Sequence, residues 1–140
     1  MLQNKVLGTA LVLGIAAVLS LSGDAQIKKG KTRPLTTKQM MNGLVKLHCG
    51  GLAEGLKTAP ADDKGWEELA TKAALLNEAG YILMEDDRCP DADWANAAKQ
   101  LREGSADVLA KLEAKDHAGA SEAFKAVTGS CAACHKVHKK

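Results

Sequence analysis

The last eleven residues of the chain, SCAACHKVHKK, hold two cysteines, two histidines and three lysines. Chain termini usually fray, so this concentration of reactive side chains suggests that something holds the end in place. Cys131, Cys134 and His135 form the pattern C-x-x-C-H, the attachment signature of c-type haem. Residues three and four apart share a helix face, so both thiols could form thioether bonds to one haem while the His135 imidazole reaches the iron. The motif predicts one covalent haem c.

Three other kinds of site fit the same residues less well. A thioredoxin-like dithiol follows a strand at the start of a helix, and the chain has no strand pattern. Structural zinc could use Cys131, Cys134, His135 and His138, but four ligands within eight residues of one helix cannot easily surround a tetrahedral ion. A disulfide within the motif is disfavoured because a spacing of three residues on a helix gives poor disulfide geometry.

The composition indicates helices and a single domain. The chain has 140 residues, of which 46% are apolar and 3% aromatic, and Ala, Leu, Lys and Glu are plentiful while Val and Ile are scarce. Lys and Arg number 19 against 17 Asp and Glu, a net charge of +2, with the two signs interspersed. Nucleic acid is therefore not an expected partner.

The N-terminal segment has the layout of a secretory signal. Residues 6–21 are mostly apolar, follow Lys5, and run into small residues, with Gly23 and Ala25 as a small-x-small cleavage site. We predict a signal peptide over residues 1–25 and export to the periplasm, with an uncleaved N-terminal membrane anchor as the alternative. Residues 26–34 are basic, lack apolar periodicity, and are predicted to be a linker.

Four helical patterns follow over residues 35–140. The first starts at Thr36 or Thr37, the second is capped by Asp62 or Asp63, and the last is capped by Asp116. The third runs over about residues 92–115. Their apolar stripes comprise Met41, Leu44, Val45, Leu52 and Leu56; Trp66, Leu69, Ala73, Leu76, Gly80 and Leu83; Trp94, Leu101, Val108 and Leu112; and Phe124 and Val127. Short loops between such helices predict an all-α, antiparallel up-down four-helix bundle.

With CAACH near the end of a helical domain of this length, the chain resembles the cytochrome c prime family, the class II c-type cytochromes. The resemblance covers about residues 35–140 and implies a four-helix bundle with one haem. That family usually has a basic residue, often arginine, four positions after the histidine, and Lys139 occupies this place. The HCGG stretch at 48–51, the additional Cys49 and Cys89, and the few aromatics depart from the family and suggest a divergent member.

With His135 as proximal ligand, the residue on the other side of the iron decides the function. Met40 and Met41 lie about one turn into the first helix, at the level expected for His135. Some members of the resembled family place a methionine there as sixth ligand, and others an apolar residue that leaves the site open. We prefer Met41 because it shares a face with Val45. The alternative is that both methionines only pack in the core, which is the commoner role of methionine on an amphipathic helix. His48 is another possible ligand, but it lies about 10 Å further along the helix than Met41.

Cys49 and Cys89 raise the question of a disulfide, because exported thiols rarely stay free. An ideal bundle would separate them by roughly 20 Å, against a limit of about 7 Å between bridged Cα atoms. A bend at Gly50 and Gly51 would weaken that objection, so the bridge stays an open alternative.

The sequence thus predicts an exported electron-transfer protein that docks redox partner proteins through Lys136, Lys139 and Lys140. The alternative is a five-coordinate haem protein that binds nitric oxide or carbon monoxide, and a third hypothesis is a haem-free bundle with disulfides only. No pattern for hydrolysis or phosphoryl transfer is present, so we predict no enzyme. Homodimers occur in the resembled family and are a possible assembly.

Overall fold

The computed structural model describes residues 29–139 of the chain, and in this part it is helical apart from loops and an isolated bridge between Lys29 and Thr36. The elements are α1 (Thr37–Met40), a π-helical segment (Met41–Val45), α2 (Lys46–Gly55), α3 (Asp63–Ile82), α4 (Ala92–Glu113) and α5 (His117–His138). The first three follow one another without a break, and we call residues 37–55 the first helical run. Four helices pack against each other, which confirms the all-α prediction.

The predicted signal peptide, residues 1–25, lies outside the described residues, as do the first residues of the predicted linker. Within residues 29–139, none of the helices combines the length and the apolar character that a membrane span requires.

Side-chain caps fix where the helices begin. Thr36 and Gln39 form a reciprocal capping box at the start of the first helical run. Asp62, Asp91 and Asp116 each accept a hydrogen bond from a backbone N–H three residues further on, at 2.8 to 2.9 Å. The sequence offered two residues each for the first two caps, and the structure selects Thr36 and Asp62. Because Asp62, Asp91 and Asp116 each cap a helix soon after the preceding helix ends, the loops between the helices are short.

The core lies where the apolar stripes of the helices meet. Helix α4 packs extensively against both α3 and α5, and the first helical run packs mainly on α3. The buried apolar residues are Met40, Val45, Leu52, Leu56, Leu69, Ala73, Leu76, Ala79, Leu83, Trp94, Ala97, Ala98, Leu101, Val108, Leu112, Ala120 and Val127. Most of the predicted stripe residues are among them, whereas Met41, Leu44, Trp66 and Phe124 are only partly buried.

Two glycines let backbones approach closely on either side of α4. A Cβ atom at Gly80 of α3 would lie 3.1 Å from the Ala98 carbonyl oxygen and 3.2 Å from the Arg102 nitrogen. A Cβ atom at Gly104 would lie 3.2 Å from the Val127 nitrogen in α5. These distances are shorter than ordinary van der Waals contacts, so a side chain at either position would require the neighbouring backbone to shift by a few tenths of an ångström.

Three contacts show which helix ends meet. His117, at the start of α5, donates from Nε2 to the Leu56 carbonyl oxygen at 3.0 Å, beside the end of α2. Lys115 after α4 pairs with Asp63 at the start of α3, at 2.6 Å. At the other end, His138 of α5 lies 3.4 Å from the Asp91 carboxylate, the N-cap of α4.

The segment before the first helix is held by the loop between α3 and α4. Asp86 accepts hydrogen bonds from the Thr32 backbone and hydroxyl, at 2.7 and 2.9 Å, and from the Arg33 backbone, at 3.0 Å. Arg88 is buried, pairs with Asp86 at 3.3 Å and donates to the Leu35 carbonyl oxygen at 3.0 Å. A buried guanidinium requires such partners. The part of the predicted linker that is described is therefore attached to the bundle.

Asp86 itself has φ of 64°, in the left-handed region that non-glycine residues seldom adopt. Desolvation would raise the pKa of this carboxyl. The hydrogen bonds from Thr32 and Arg33, together with the charge of Arg88, outweigh that effect and lower the pKa to about 2. Asp86 is thus ionised at neutral pH and acts as the fixed acceptor that positions residues 32–35.

Candidate cofactor site

A cavity of about 460 Å³ lies between the first helical run and the end of α5. Its size falls in the range of roughly 300 to 1,000 Å³ that is usual for ligand and cofactor sites. The first helical run contributes Thr37, Lys38, Met41, Asn42, Val45, Lys46 and Cys49, α4 contributes Trp94, and the end of the chain contributes Cys131, Cys134, His135, His138 and Lys139. All three residues of the C-x-x-C-H motif therefore line one cavity.

The motif lies in the last two turns of α5, as the sequence predicted. Cys131 and Cys134 are half-buried at the cavity wall, and His135 is more exposed beside them. Burial and the nearby charge of Lys139 lower the pKa of His135. The imidazole is thus neutral at neutral pH, which is the form that binds a metal.

The two methionines of the first helical run have different surroundings. Met41 lines the cavity and is half-buried, whereas Met40 is 1% exposed and belongs to the core. Met41 begins the π-helical segment, which ends at Val45, another cavity residue. Such π segments occur frequently at functional sites because they shift side chains relative to the preceding α-helix. Of the two candidate sixth ligands, only Met41 faces the cavity.

Cys49 lies against the motif rather than against Cys89. The interaction between the side chains of Cys49 and Cys131 raises the pKa of Cys49 and lowers that of Cys131 to about 7, with help from Ser130. Cys89 instead donates to the Asp91 carbonyl oxygen at 3.4 Å and does not line the cavity. None of the four cysteines, all of which are described, is disulfide-bonded.

The second motif cysteine is in a less favourable place for a thiolate. Burial, followed by the charges of Cys131 and Asp91, raises the pKa of Cys134 to about 11. The thiolate form is therefore favoured at Cys131 and disfavoured at Cys134. Since the thiolate is the nucleophilic form of cysteine, the two sulfurs differ in reactivity before any bond is made.

An aromatic pair closes one side of the cavity. Trp94 is buried and donates from its indole N–H to the Leu83 carbonyl oxygen at 2.8 Å. His138 meets the Trp94 ring edge to face, with ring centroids 5.3 Å apart, and its Nε2 lies 3.4 Å from Asp91. These contacts fix the end of α5, where the sequence alone would lead one to expect fraying.

The cavity residues can be compared with the donors that a bare metal ion and a haem each require. Among residues 29–139, no three His, Cys, Asp or Glu side chains converge so that they could hold a metal ion. A porphyrin brings its own nitrogen ligands, so the protein needs to supply only one or two axial donors. His135 and Met41, with two cysteines to bond the porphyrin edge, meet that requirement in one cavity.

Basic side chains surround the mouth of the cavity. Lys38 and Lys46 come from the first helical run and Lys139 follows α5, and all three are exposed although they line the cavity. Lys136 is exposed on the neighbouring turn. Of the three lysines predicted to dock a partner, Lys136 and Lys139 are exposed, and Lys140 lies outside the described residues.

The sequence analysis missed Cys49, Trp94, Lys38 and Lys46 as cavity residues. A signal for the first helical run was present, because residues 38, 41, 42, 45, 46 and 49 recur at intervals of three and four and so share one helix face. Trp94 was assigned only to the core. Its dual role depends on the position of His138, which the sequence does not specify.

Comparison with known proteins gives no match: no protein-family model, no curated protein and no solved structure matches the chain. The function must therefore be inferred from the site itself.

Proposed function

We propose that the chain is an exported mono-haem cytochrome of the class II c type, a divergent relative of the cytochrome c prime family, and that it transfers electrons. The observation that carries the proposal is that Cys131, Cys134 and His135 line a single cavity of cofactor size, with Met41 on the facing helical run. The three motif residues were predicted from spacing alone. Their convergence on one cavity supports haem over an isolated dithiol.

Each side chain has a defined part in this proposal. Cys131 and Cys134 would hold the haem through thioether bonds, His135 would bind the iron as a neutral imidazole, and Met41 would be a second protein ligand of the iron. The haem, when bound, supplies one-electron exchange between ferric and ferrous iron, and methionine ligation favours the ferrous state. Trp94 and Val45 exclude water from the inner wall of the cavity.

We also propose that the four helices run up, down, up and down. The contacts at the helix ends support this order, because the end of α2 meets the start of α5, the end of α4 meets the start of α3, and the start of α4 meets the end of α5. The short loops point the same way. In this arrangement the start of the first helical run and the motif lie at the same end, as the shared cavity requires.

The redox partner of this cytochrome is expected to be acidic where it docks. Lys38, Lys46, Lys136 and Lys139 are exposed around the cavity, and charges at the rim of an interface steer the encounter of two proteins. The proposal of export to the periplasm is supported by the signal-like residues 1–25.

Spectra of the haem-loaded protein test the proposed function. We expect a low-spin ferric form that does not take up carbon monoxide after reduction. Met41→Ala should convert it to a high-spin form that binds carbon monoxide. Met40→Ala is the matched control, because Met40 is buried in the core, and should leave the coordination unchanged. A spectrum that Met41→Ala does not alter would remove Met41 from the ligand role.

A second candidate function, the binding of nitric oxide or carbon monoxide by five-coordinate iron, has its own structural support. Met41 and His135 also line a smaller cavity of about 30 Å³. Its other walls include Val45, Leu83 and Leu101. That volume suits a diatomic molecule, since a single water needs roughly 10 to 15 Å³. Carbon monoxide binding by the unaltered reduced protein would favour this function over electron transfer.

A further inference from the structure

Cys49 has no role in the function proposed above, yet it is in contact with the motif. Cys49 on α2 and Cys131 on α5 line the same cavity, and each shifts the pKa of the other. The two thiols thus lie close together on different helices. In an exported protein such a pair is exposed to oxidising conditions.

The other thiols are less suitable partners for Cys131. Cys134 lies three residues away on the same helix, a spacing that holds the two sulfurs poorly for a disulfide. Cys89 lies outside the cavity wall, and its thiol donates to the Asp91 carbonyl oxygen. Contact across two helices is the more favourable arrangement because the side chains approach from separate backbones.

We propose that Cys49 and Cys131 form a disulfide between α2 and α5 in the haem-free chain, and that this bond competes with haem attachment for the sulfur of Cys131. The disulfide depends only on the contact between the two thiols. The competition depends in addition on the proposed function, because a sulfur in a disulfide cannot form a thioether. Reduction of the Cys49–Cys131 bond is then required before the haem is attached.

The oxidant is a small-molecule or protein disulfide, represented by oxidised glutathione. One thiolate of the pair attacks it, a mixed disulfide forms, and one glutathione thiolate leaves. The second thiol of the pair, as its thiolate, then attacks the mixed disulfide and releases the other glutathione. Two protein thiols are oxidised and one disulfide is reduced to two thiols, so electrons and protons balance.

Peptide mapping tests the disulfide directly. The full chain is produced without haem, purified reduced, treated with oxidised glutathione at high dilution, blocked at free thiols and cut with trypsin without reductant. Cleavage after Lys and Arg places Cys49 in peptide 47–57, Cys89 in peptide 89–99, and Cys131 with Cys134 in peptide 126–136. We expect peptide 47–57 linked to peptide 126–136, with fragmentation locating the bond at Cys131 and Cys134 blocked.

Two single variants sharpen the result. Cys49→Ser should abolish the linked pair, whereas Cys89→Ser, the matched control, should leave it unchanged. The inference is overturned if the main product is peptide 126–136 closed on itself, if Cys49 is joined to Cys134 or Cys89, or if Cys49 stays free.

Haem attachment tests the competition separately. The oxidised chain should attach haem only after a reductant is added, while Cys49→Ser should attach it at a similar yield with or without the reductant. Equal attachment by the oxidised and reduced unaltered chains would overturn the competition. A mapped Cys49–Cys131 bond in a chain that never attaches haem would instead leave the disulfide standing and reject the proposed function.

Discussion

The two sides of the bundle are built differently. Where α3 meets α4, Gly80 brings the backbones together so closely that a single added methyl group would touch the Ala98 carbonyl oxygen. Where the first helical run faces α5, the space between them is a cavity of about 460 Å³ that contains three of the four cysteines. We call these the α3–α4 interface and the cavity side.

The difference separates stability from chemistry. The α3–α4 interface is packed mainly by apolar residues, with a hydrogen bond from the Asn77 amide to the Arg102 carbonyl oxygen at 2.8 Å, so its main contribution is the burial of apolar surface. The cavity side is less tightly packed, and its thiols, imidazoles and lysines line the cavity. Substitutions on the first side should therefore change the free energy of unfolding, and substitutions on the second should change binding.

The largest stability effect is expected in α3. Leu76 is fully buried, and Leu76→Ala should lower the free energy of unfolding by about 2 to 5 kcal/mol, because it removes apolar contacts and leaves a void. Denaturant unfolding of the haem-free protein measures this loss. Leu47→Ala is the control, since Leu47 is 63% exposed and should change stability little. Similar losses for both variants would contradict the position of the core.

The adjacent methionines give the sharpest contrast between the packed core, which contains Met40, and the cavity side, which contains Met41. Met40→Ala should cost about 2 to 5 kcal/mol in the haem-free chain. Met41→Ala should cost about 1 kcal/mol or less, since Met41 already borders the cavity and its removal creates no enclosed void. Thermal or denaturant unfolding of the two variants provides the comparison. A larger loss for Met41 than for Met40 would reverse the assignment of the two faces.

Replacing glycines compares a position in a tight helix contact, Gly80, with a position that has open space around it, Gly50. Gly80→Val should destabilise by about 1 to 3 kcal/mol, because its side chain has no space between α3 and α4. Gly50→Ala in α2 should stabilise by about 0.5 to 1 kcal/mol, since nothing lies within 4 Å of the added Cβ atom and alanine favours the helix. The midpoints of denaturant unfolding measure both effects. If Gly80→Val and Gly50→Ala shifted the midpoint in the same direction, this packing would be contradicted.

A prediction that depends on pH concerns the loop that holds residues 32–35. The pKa of Asp86 is lowered to about 2, against about 3.9 in an unfolded chain, so its stabilising contribution is complete above that unfolded value and is lost as the pH falls towards 2. Asp86→Asn should therefore lower Tm at pH 7, and the difference should shrink in acid. Asp107→Asn, at an exposed position of α4, serves as control. A difference that stays constant down to pH 2.5 would contradict the ion pair and hydrogen bonds at Asp86.

Much of the fold could be predicted because local signals agree with one another. The caps at Asp62, Asp91 and Asp116 follow breaks that proline or polar residues impose, and the apolar stripes between them have helical periods. The C-x-x-C-H motif was equally accessible, since its meaning depends on spacing along one helix. These features need no knowledge of which helices meet.

The contact of Cys49 with Cys131 could not be predicted, because it depends on how far the first helical run and α5 are apart and on the π-helical segment between α1 and α2. The sequence analysis compared Cys49 only with Cys89, the other cysteine outside the motif. The choice between Met40 and Met41 also depends on the π-helical segment. Its turn contains one residue more than an α-helical turn, which changes which side chain faces a neighbouring helix.

The central claim is that Cys131 and Cys134 carry a covalently bound haem. Its most direct test is the intact mass, under denaturing acidic conditions, of the protein produced in cells that attach c-type haem. We predict the mass of the polypeptide plus one haem, and loss of the covalent haem in the double variant Cys131→Ser and Cys134→Ser. A bare polypeptide mass, or a pigment that acidic organic solvent extracts from the unaltered protein, would contradict the claim.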